Sequence, residues 1–210
     1  MKKSRLPADY QEVEWIGCSG TQFIQTNVSI GQPTSLYCES DFECQNMVSG
    51  VDYPIVWCQG AGGSSDNSAT YKFPNVYNGK TELQGFGIVG GTQNKPFTVV
   101  NDQREFMTFD YKPNLQIITF NETSITRTYS GPTSANNKLI RLLKSTKTSG
   151  TDAFFKGKLY HFLLELNGVK VLDVVPCYRK HDGVIGVYDV VSNSFLMNAG
   201  TGEFTKGENV

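Results

Sequence analysis

The chain has 210 residues, of which 39% are hydrophobic and 12% aromatic, with 21 glycines and 8 prolines. This length suits one large β-sandwich or two small domains, and a chain of this size can bury enough surface to fold without a metal or a disulfide framework. The 19 basic and 20 acidic side chains give a formal net charge of −1. That balance argues against nucleic acid as a partner, because nucleic-acid-binding domains carry a clear positive excess.

The sequence contains no apolar run of 18 or more residues, so we expect no membrane insertion. Residues 1–11 carry charges but no apolar stretch of the kind found in a secretory signal peptide. We therefore expect a chain that is made in the cytoplasm without a signal peptide, unless another route exports it.

The five cysteines and two histidines predict neither disulfides nor a metal site. The cysteines are odd in number and form no Cys-x-x-Cys pair, and His161 and His181 lack metal-ligand spacing. We expect buried free thiols, and we expect both histidines at strand ends or in turns. No metal and no cofactor are predicted.

Most of the chain alternates between apolar and polar residues with a period of two, which is typical of half-buried strands. In chain order, strands are predicted at residues 21–28, 35–44, 55–58, 85–91, 97–100, 104–111, 116–121, 124–129, 160–166, 169–175 and 184–191. Residues 60–70 are a loop by composition, and Asn78-Gly79 marks a turn. Residues 138–144 fit a helical turn and a strand equally.

The alternation is clear in residues 35–44. One face carries Ser40 and four apolar side chains, which are Leu36, Cys38, Phe42 and Cys44. The opposite face is polar and consists of Tyr37, Glu39, Asp41 and Glu43. A strand with this pattern has one face in a core and the other directed away from it.

The strongest local signal is the dipeptide Asn167-Gly168 between two alternating apolar runs. Asn-Gly accepts the positive φ angles of a type I′ turn, so it predicts a tight β-hairpin. A two-residue turn places Leu166 opposite Val169, Glu165 opposite Lys170 and Leu164 opposite Val171. A second turn is predicted at Asp182-Gly183.

Successive strands separated by turns predict an antiparallel sandwich or barrel. No repeat and no linker divides the chain. We therefore predict a single domain over residues 1–210, with residues 1–8 and 206–210 as exposed termini.

Both ends of the chain carry extended motifs. Near the start, residues 6–16 read LPADYQEVEWI and residues 19–26 read SGTQFIQT; near the end, FKGKLY (155–160), DVVPCYRK (173–180), DGVIGVYD (182–189) and NAGTG (198–202) follow in order. Together these segments resemble the concanavalin A-like, laminin-G-type domains of phage and prophage structural proteins. The resemblance covers about residues 1–30 and 155–210.

The resemblance implies a two-sheet antiparallel jelly-roll β-sandwich of the concanavalin A-like lectin and glucanase type. It also implies a virion location, on a tail fibre, a baseplate or a capsid surface. Within the motifs, the aromatic and aliphatic residues are interpreted as core anchors, namely Trp15, Ile16, Tyr188 and Phe195. The glycines are interpreted as turn positions, namely Gly157, Gly183 and Gly202, and Pro176 is expected after the end of a strand.

Glu39, Asp41 and Glu43 form the one pattern that suggests catalysis. Three carboxylates at alternate positions of a strand are similar to the acid pattern of laminarinase-type glycoside hydrolases, which implies Glu39 as nucleophile and Glu43 as acid/base. The competing interpretation is a solvated strand face. Ser40 also departs from the bulky apolar residue usual in that pattern, so we predict that the chain is not an enzyme and keep the hydrolase as an alternative.

Aromatic residues near polar loops suggest ligand binding, because sugar rings can lie on aromatic side chains while Asn and Asp bind hydroxyls. The alternative for each aromatic residue is core packing. The candidate binding residues are Tyr53, Trp57, Asp66, Tyr71, Asn75, Tyr77 and Asn78.

The sequence thus leads to three functional hypotheses. The first is a non-catalytic module of a phage or prophage particle that binds host-surface carbohydrate or a neighbouring virion protein. The second is a structural decoration or adaptor domain that forms a homo-oligomer, a trimer or a dimer, without a glycan ligand. The third is the glycoside hydrolase, and the fold alone does not choose among them.

Overall fold

The computed structural model describes residues 5–31, 34–46, 56–59, 75–77, 80–82, 100–112, 115–128, 136–146 and 152–210. Across these ranges the secondary structure consists of strands, and no helix is long and apolar enough to cross a membrane. The strands are β1 (Tyr10–Glu12), β2 (Ile16–Ser19), β3 (Ile24–Gly31), β4 (Leu36–Cys44), β5 (Trp57–Gln59), β6 (Asn75–Tyr77), β7 (Lys80–Glu82), β8 (Arg104–Lys112), β9 (Leu115–Phe120), β10 (Thr123–Thr128), β11 (Asn136–Leu142), β12 (Lys144–Thr146), β13 (Asp152–Phe154), β14 (Lys156–Leu166), β15 (Val169–Arg179), β16 (Ile185–Asp189), β17 (Ser194–Met197) and β18 (Thr205–Lys206).

A large antiparallel sheet dominates the fold. Its main path runs β10-β9-β8-β4-β14-β15-β16-β17, and β1, β2 and β18 join it beside β14 and β15. A smaller sheet has the order β3-β11-β5, and β12-β13 and β6-β7 form two-stranded pairs. The predicted all-β, antiparallel architecture is confirmed.

The main core joins the two sheets. The predicted inner face of β4 is confirmed, because Leu36, Cys38, Phe42 and Cys44 are all buried. They share one cluster with side chains from the smaller sheet, which include Ile24, Ile30, Ile140 and Leu142. The outer face of β4, with Glu39 and Asp41, is therefore directed away from this core.

A second, smaller cluster lies on the outer face of the large sheet. Val174 belongs to the main core, whereas its neighbour Val175 packs with Leu6, Cys177 and Tyr188. Leu6 was expected in an exposed terminus but is buried, because the N-terminal segment crosses this face and brings Leu6 onto Val175. Phe195, expected as a core anchor, packs against the rim of this cluster.

The strands β14 and β15 pair only over part of their length. Their register runs from Leu166 opposite Val169 to Phe162 opposite Val174, and beyond that point the two strands separate into a fork. The strand β1 fills the β15 side of the fork and β2 fills the β14 side. Residues 13–15 therefore cross from one arm of the fork to the other.

Pro176 determines where the ladder between β1 and β15 ends. It lies within β15, not after it as expected, and its carbonyl oxygen accepts a hydrogen bond from the Val13 N–H at 3.0 Å. Proline has no N–H to return that bond. The ladder stops at this residue, and the chain after Val13 is free to leave β15 and join β14.

The predicted Asn167-Gly168 hairpin is confirmed, with φ angles of 54° and 74°. Glu165 pairs with Lys170 as predicted, but Leu164 pairs with Leu172 and not with Val171. The reason is a β-bulge, which adds one residue to the β15 side. The turn also anchors the loop before β4, since Asn167 Oδ1 accepts hydrogen bonds from Thr34 and Ser35.

Two other local predictions need correction. Gly157 lies inside β14, not in a turn: its φ is 145°, and a Cβ there would collide with the carbonyl oxygen of Glu43. His161 also lies inside β14, whereas His181 lies in the turn that contains Gly183. Residues 138–144 prove to be strand, interrupted at Leu143, which has a φ of 67°.

The two end motifs bind each other directly. Gln22 Oε1 accepts hydrogen bonds from the Ser19 and Thr21 N–H groups, and its Nε2 donates to the carbonyl oxygen of Glu203 at 2.9 Å. Asn198 Oδ1 accepts from the Phe23 and Gly200 N–H groups. These polar side chains fasten the C-terminal segment to the start of β3.

The expected buried thiols are found at the four cysteines whose side chains are described, Cys18, Cys38, Cys44 and Cys177. Burial raises the pKa of Cys18 and of Cys177 to about 12. The predicted strand at residues 85–91, the loop at 60–70 and the turn at Asn78-Gly79 lie outside the described residues.

We predict that Ser40→Ala stabilises the protein. Ser40 is fully buried between Met107 and Phe162, and its hydroxyl has no hydrogen-bond partner within the described part of the chain. Removing an unsatisfied buried hydroxyl should raise the free energy of unfolding by about 1 kcal/mol. Urea unfolding followed by fluorescence measures this change.

The matched control is Thr26→Val, which also removes a fully buried hydroxyl. Thr26 Oγ1 donates to the Ile140 carbonyl oxygen at 2.9 Å, so its loss should lower the free energy of unfolding by about 1 kcal/mol. Equal losses of stability in Ser40→Ala and Thr26→Val would contradict the prediction that the buried Ser40 hydroxyl is destabilising.

Candidate functional site

A cavity of about 510 Å³ opens on the outer face of the large sheet, at the fork between β14 and β15. We call it the fork cavity. Its lining combines residues of the crossing segment with side chains from β4, β8, β14 and β15. The lining residues that matter for its chemistry are Glu14, Trp15, Asp41, Arg104, Tyr160 and His161.

A β-bulge in β14 directs two consecutive side chains to this face. The register against β4 shifts between Leu159 and His161, so Tyr160 has no partner opposite it. Tyr160 reaches Glu43 on the outer face, and the adjacent His161 reaches Asp173 on the same face. Without the bulge, strict alternation would have sent one of the two side chains into the core.

Arg104 and Asp41 form a two-pronged ion pair at the edge of the fork cavity. Arg104 Nε and Nη2 donate to the two carboxylate oxygens of Asp41 at 2.8 Å and 2.7 Å. The guanidinium also lies over the Tyr160 ring, 4.1 Å from its centroid. The bond to Asp41 raises the pKa of Arg104 further, and the three side chains hold one another in a fixed arrangement.

Glu43 is 6% exposed and has donors on both oxygens. Lys158 and Gln45 each lie 2.8 Å from Oε1, and the Tyr160 hydroxyl donates to Oε2 at 2.9 Å. Burial alone would raise the pKa of Glu43, but these three bonds outweigh it and lower that pKa. Burial and the same bond raise the pKa of Tyr160 to about 12.

Trp15 provides the aromatic wall of the fork cavity. It was interpreted as a core anchor, but it is half-buried and lines the cavity. The indole lies against Gly17 and Gly207, where a Cβ on either glycine would collide with it or its neighbours. The Lys158 ammonium lies over the ring, 5.0 Å from its centre, so the indole is contacted on one face as well as at its edges.

A second ionic group lies farther along the same face. Asp173 accepts from His161 Nε2 at 2.8 Å and from Lys170 Nζ at 2.9 Å, and its side chain is 6% exposed. Burial would raise the pKa of Asp173, but the two donors lower it to about 2. His161, which lines the fork cavity, is therefore bonded to a side chain of β15.

The three carboxylates of β4 share the outer face, as the alternation predicts, but each has a different partner. Glu39 accepts a hydrogen bond from the Tyr37 hydroxyl at 2.7 Å, Asp41 pairs with Arg104, and Glu43 pairs with Lys158. Asp41 lines the fork cavity.

The binding residues proposed from the sequence remain predictions. Tyr53, Asp66, Tyr71 and Asn78 lie outside the described residues. Trp57 lies in β5 and Asn75 and Tyr77 lie in β6, with only their backbones described.

Sequence reasoning missed Arg104, Tyr160 and Trp15 as site residues. One signal in the sequence was Gly17, two positions after Trp15, because the indole lies where a Cβ on Gly17 would contact it. Among the described side chains, no group of three or more His, Cys, Asp or Glu residues is arranged to hold a metal ion.

No protein-family model matches the sequence, and no curated protein sequence matches it. Similar folds occur among solved structures. A heptameric SAP-like pentraxin from Limulus polyphemus gives a TM-score of 0.54 at 10% identity, over 95% of this chain and 94% of the pentraxin chain. A Bacteroides ovatus protein described as a "putative carbohydrate binding protein" gives 0.56 at 11% identity, over 95% of this chain and 62% of that one.

Domains LG4-5 of the mouse laminin α1 chain give a TM-score of 0.47 at 11% identity, over 74% of this chain and 44% of that one. This chain thus spans less than two thirds of the laminin and Bacteroides ovatus chains. The likeness to the pentraxin extends over nearly the whole of both chains, which confirms the predicted jelly-roll fold.

We predict that protonation of Asp173 lowers the free energy of unfolding at low pH. Its pKa is about 2 in the folded protein and about 4 when unfolded. The stabilisation is therefore complete above about pH 4 and is lost as the pH falls towards 2, by about 2 kcal/mol in all. Asp173→Asn should be less stable at pH 7 and should lose less stability between pH 5 and pH 2.

Urea unfolding at a series of pH values measures this difference. The control is Asp110→Asn, which removes an exposed ion pair with Lys112 and should follow the wild-type curve, because exposed pairs contribute little. If Asp173→Asn lost as much stability in acid as the wild type, Asp173 would not be the cause of that loss.

Proposed function

We propose that the chain is a non-catalytic carbohydrate-binding module that holds its ligand in the fork cavity. The observation that carries the proposal is the pairing of a half-buried indole, Trp15, with fixed polar groups around a cavity of about 510 Å³. Binding sites for small ligands combine apolar walls with a few oriented polar groups. A sugar ring needs both, since its C–H face stacks on aromatic rings while its hydroxyls form hydrogen bonds.

The polar groups of the fork cavity are positioned before a ligand arrives. Arg104 is held by Asp41 and by the Tyr160 ring, and Tyr160 is held by Glu43. Groups that are already ordered lose little side-chain entropy on binding, which favours affinity. The Bacteroides ovatus protein with a similar fold is described as a "putative carbohydrate binding protein", which supports this class of ligand.

The state of the β4 acids supports a non-catalytic role. By resemblance to the hydrolases, Glu43 is the residue that has to carry a proton for the departing sugar oxygen. Its bonds to Lys158, Tyr160 and Gln45 lower its pKa and favour the charged form. Asp41 is held in an ion pair with Arg104, which occupies both of its carboxylate oxygens.

The phage or prophage setting rests on the resemblance of the two end motifs. In that setting the ligand is a host-surface carbohydrate, and the module belongs to a tail fibre, a baseplate or a capsid surface of the virion. Binding to a neighbouring virion protein and assembly into a trimer or a dimer stay predictions. Light scattering on the purified chain measures the assembly state directly.

We predict that Trp15→Ala weakens binding to every glycan that the wild type retains on a glycan array. Loss of the stacking surface should reduce affinity about tenfold or more. Trp15→Phe, which keeps an aromatic ring, should lose less. Thermal unfolding of each variant shows whether the fold is retained.

The matched control is Phe106→Ala. Phe106 is an aromatic residue on the outer face that is 40% exposed and is not part of the cavity lining. Its removal should leave affinity within about twofold of the wild type. Equal losses in Trp15→Ala and Phe106→Ala would show that binding lies elsewhere on the face.

We also predict that the wild type releases no reducing ends from β-1,3- or β-1,4-glucans during prolonged incubation. Glu39→Gln, which removes the nucleophile that the hydrolase resemblance implies, serves as the blank. Release of sugar by the wild type but not by Glu39→Gln would overturn the non-catalytic assignment and leave the cavity as an active site.

A further inference from the structure

A second cavity, of about 270 Å³, also has Trp15 in its lining. Its lining comes from β2, from the turn after β4, from the start of β14 and from the segment around β18. The lining residues used below are Trp15, Gly17, Lys158 and Glu203. Trp15 is part of the lining of both cavities.

We propose that the two cavities form one groove for an extended, uncharged saccharide chain of at least three units that crosses Trp15. This inference rests on the proposed function and specifies its ligand. The fork cavity has the size usual for a small-ligand site, whereas the second cavity falls just below that range. The larger space suits one or two sugar rings, and the smaller space suits one.

Trp15 connects the two cavities, because it is part of the lining of both. Two glycines leave room for the edges of the indole: a Cβ on Gly207 would be 2.7 Å from Nε1, and a Cβ on Gly17 would be 3.1 Å from Cζ3. The Lys158 ammonium lies over the ring, 5.0 Å from its centre. The half-buried indole gives a saccharide an aromatic surface on which a sugar ring can stack.

The charges of the groove point to an uncharged ligand. Of the four Lys and Arg side chains in the lining, three have a carboxylate close by. Arg104 has Asp41 at 2.7 Å, Lys158 has Glu43 at 2.8 Å, and Arg5 has Glu12 at 3.9 Å. An acidic sugar would have to compete with these carboxylates. A neutral chain can use the same side chains as hydrogen-bonding partners without breaking the pairs.

The experiment measures the dissociation constants of linear oligomers of one to six units by titration calorimetry. The probes are β-1,3-glucose, β-1,4-glucose and β-1,4-N-acetylglucosamine oligomers, with oligogalacturonate as the acidic comparison. We expect the affinity of at least one neutral series to rise about tenfold or more between two and four units. We also expect it to change less than about twofold between about 0.05 M and about 0.5 M salt.

A variant that fills only the second cavity tests the groove itself. Glu203→Trp places a bulky side chain at an exposed position of that cavity and should reduce the affinity of the six-unit chain to that of the two-unit chain. The matched control is Val169→Trp, which adds an exposed tryptophan at the tip of the β14–β15 hairpin, away from both cavities. In Val169→Trp, the affinity should still rise with the length of the saccharide chain as it does in the wild type.

The possible failures are distinguishable. If two units bind as tightly as six, the ligand is confined to the fork cavity and the groove is overturned, while the proposed function stands. If oligogalacturonate binds more tightly than every neutral series, the uncharged ligand is overturned. If none of the panel binds to the wild type, the groove and the proposed function fall together.

Discussion

The missing N–H of Pro176 is the constraint on which the rest of the site depends. Because Pro176 accepts a bond from Val13 but returns none, the ladder between β1 and β15 ends there. The chain then crosses to β14 and continues as β2. That crossing carries Trp15 over the gap between two diverging strands, so the fork cavity follows from how the sheet is paired.

The electrostatics of the outer face depend on the same pairing. In the sequence, Glu39, Asp41 and Glu43 look like three equivalent acids on one strand face. In the sheet, β8 brings Arg104 to Asp41 and β14 brings Lys158 to Glu43. The cations come from different strands and convert a repulsive row of acids into ordered ion pairs. An acid pattern on one strand therefore carries little functional meaning until its cross-strand neighbours are known.

Local features could be predicted from the sequence, whereas the site could not. The Asn167-Gly168 turn and the alternation in β4 depend on residues close together in the chain, and both were predicted correctly. The bulge at Tyr160 depends on how β14 pairs with β4, a strand more than a hundred residues away. Local composition instead favoured the polar and aromatic residues around Tyr53 and Tyr77 as the binding site, because composition can be judged without knowing how the strands pair.

The interlocked ends explain why a binding site made of distant segments can be stable. Gln22 and Asn198 bond the segment before β3 to the segment before β18. These bonds go largely to backbone groups, and each closes a loop that spans most of the chain. The first bond between the two ends carries the entropic cost of closing the loop. Further contacts between the ends then form without a second cost of that kind. Trp15 on Gly207 is one of those later contacts, so the fastening that stabilises the fold also sets the position of the proposed binding surface.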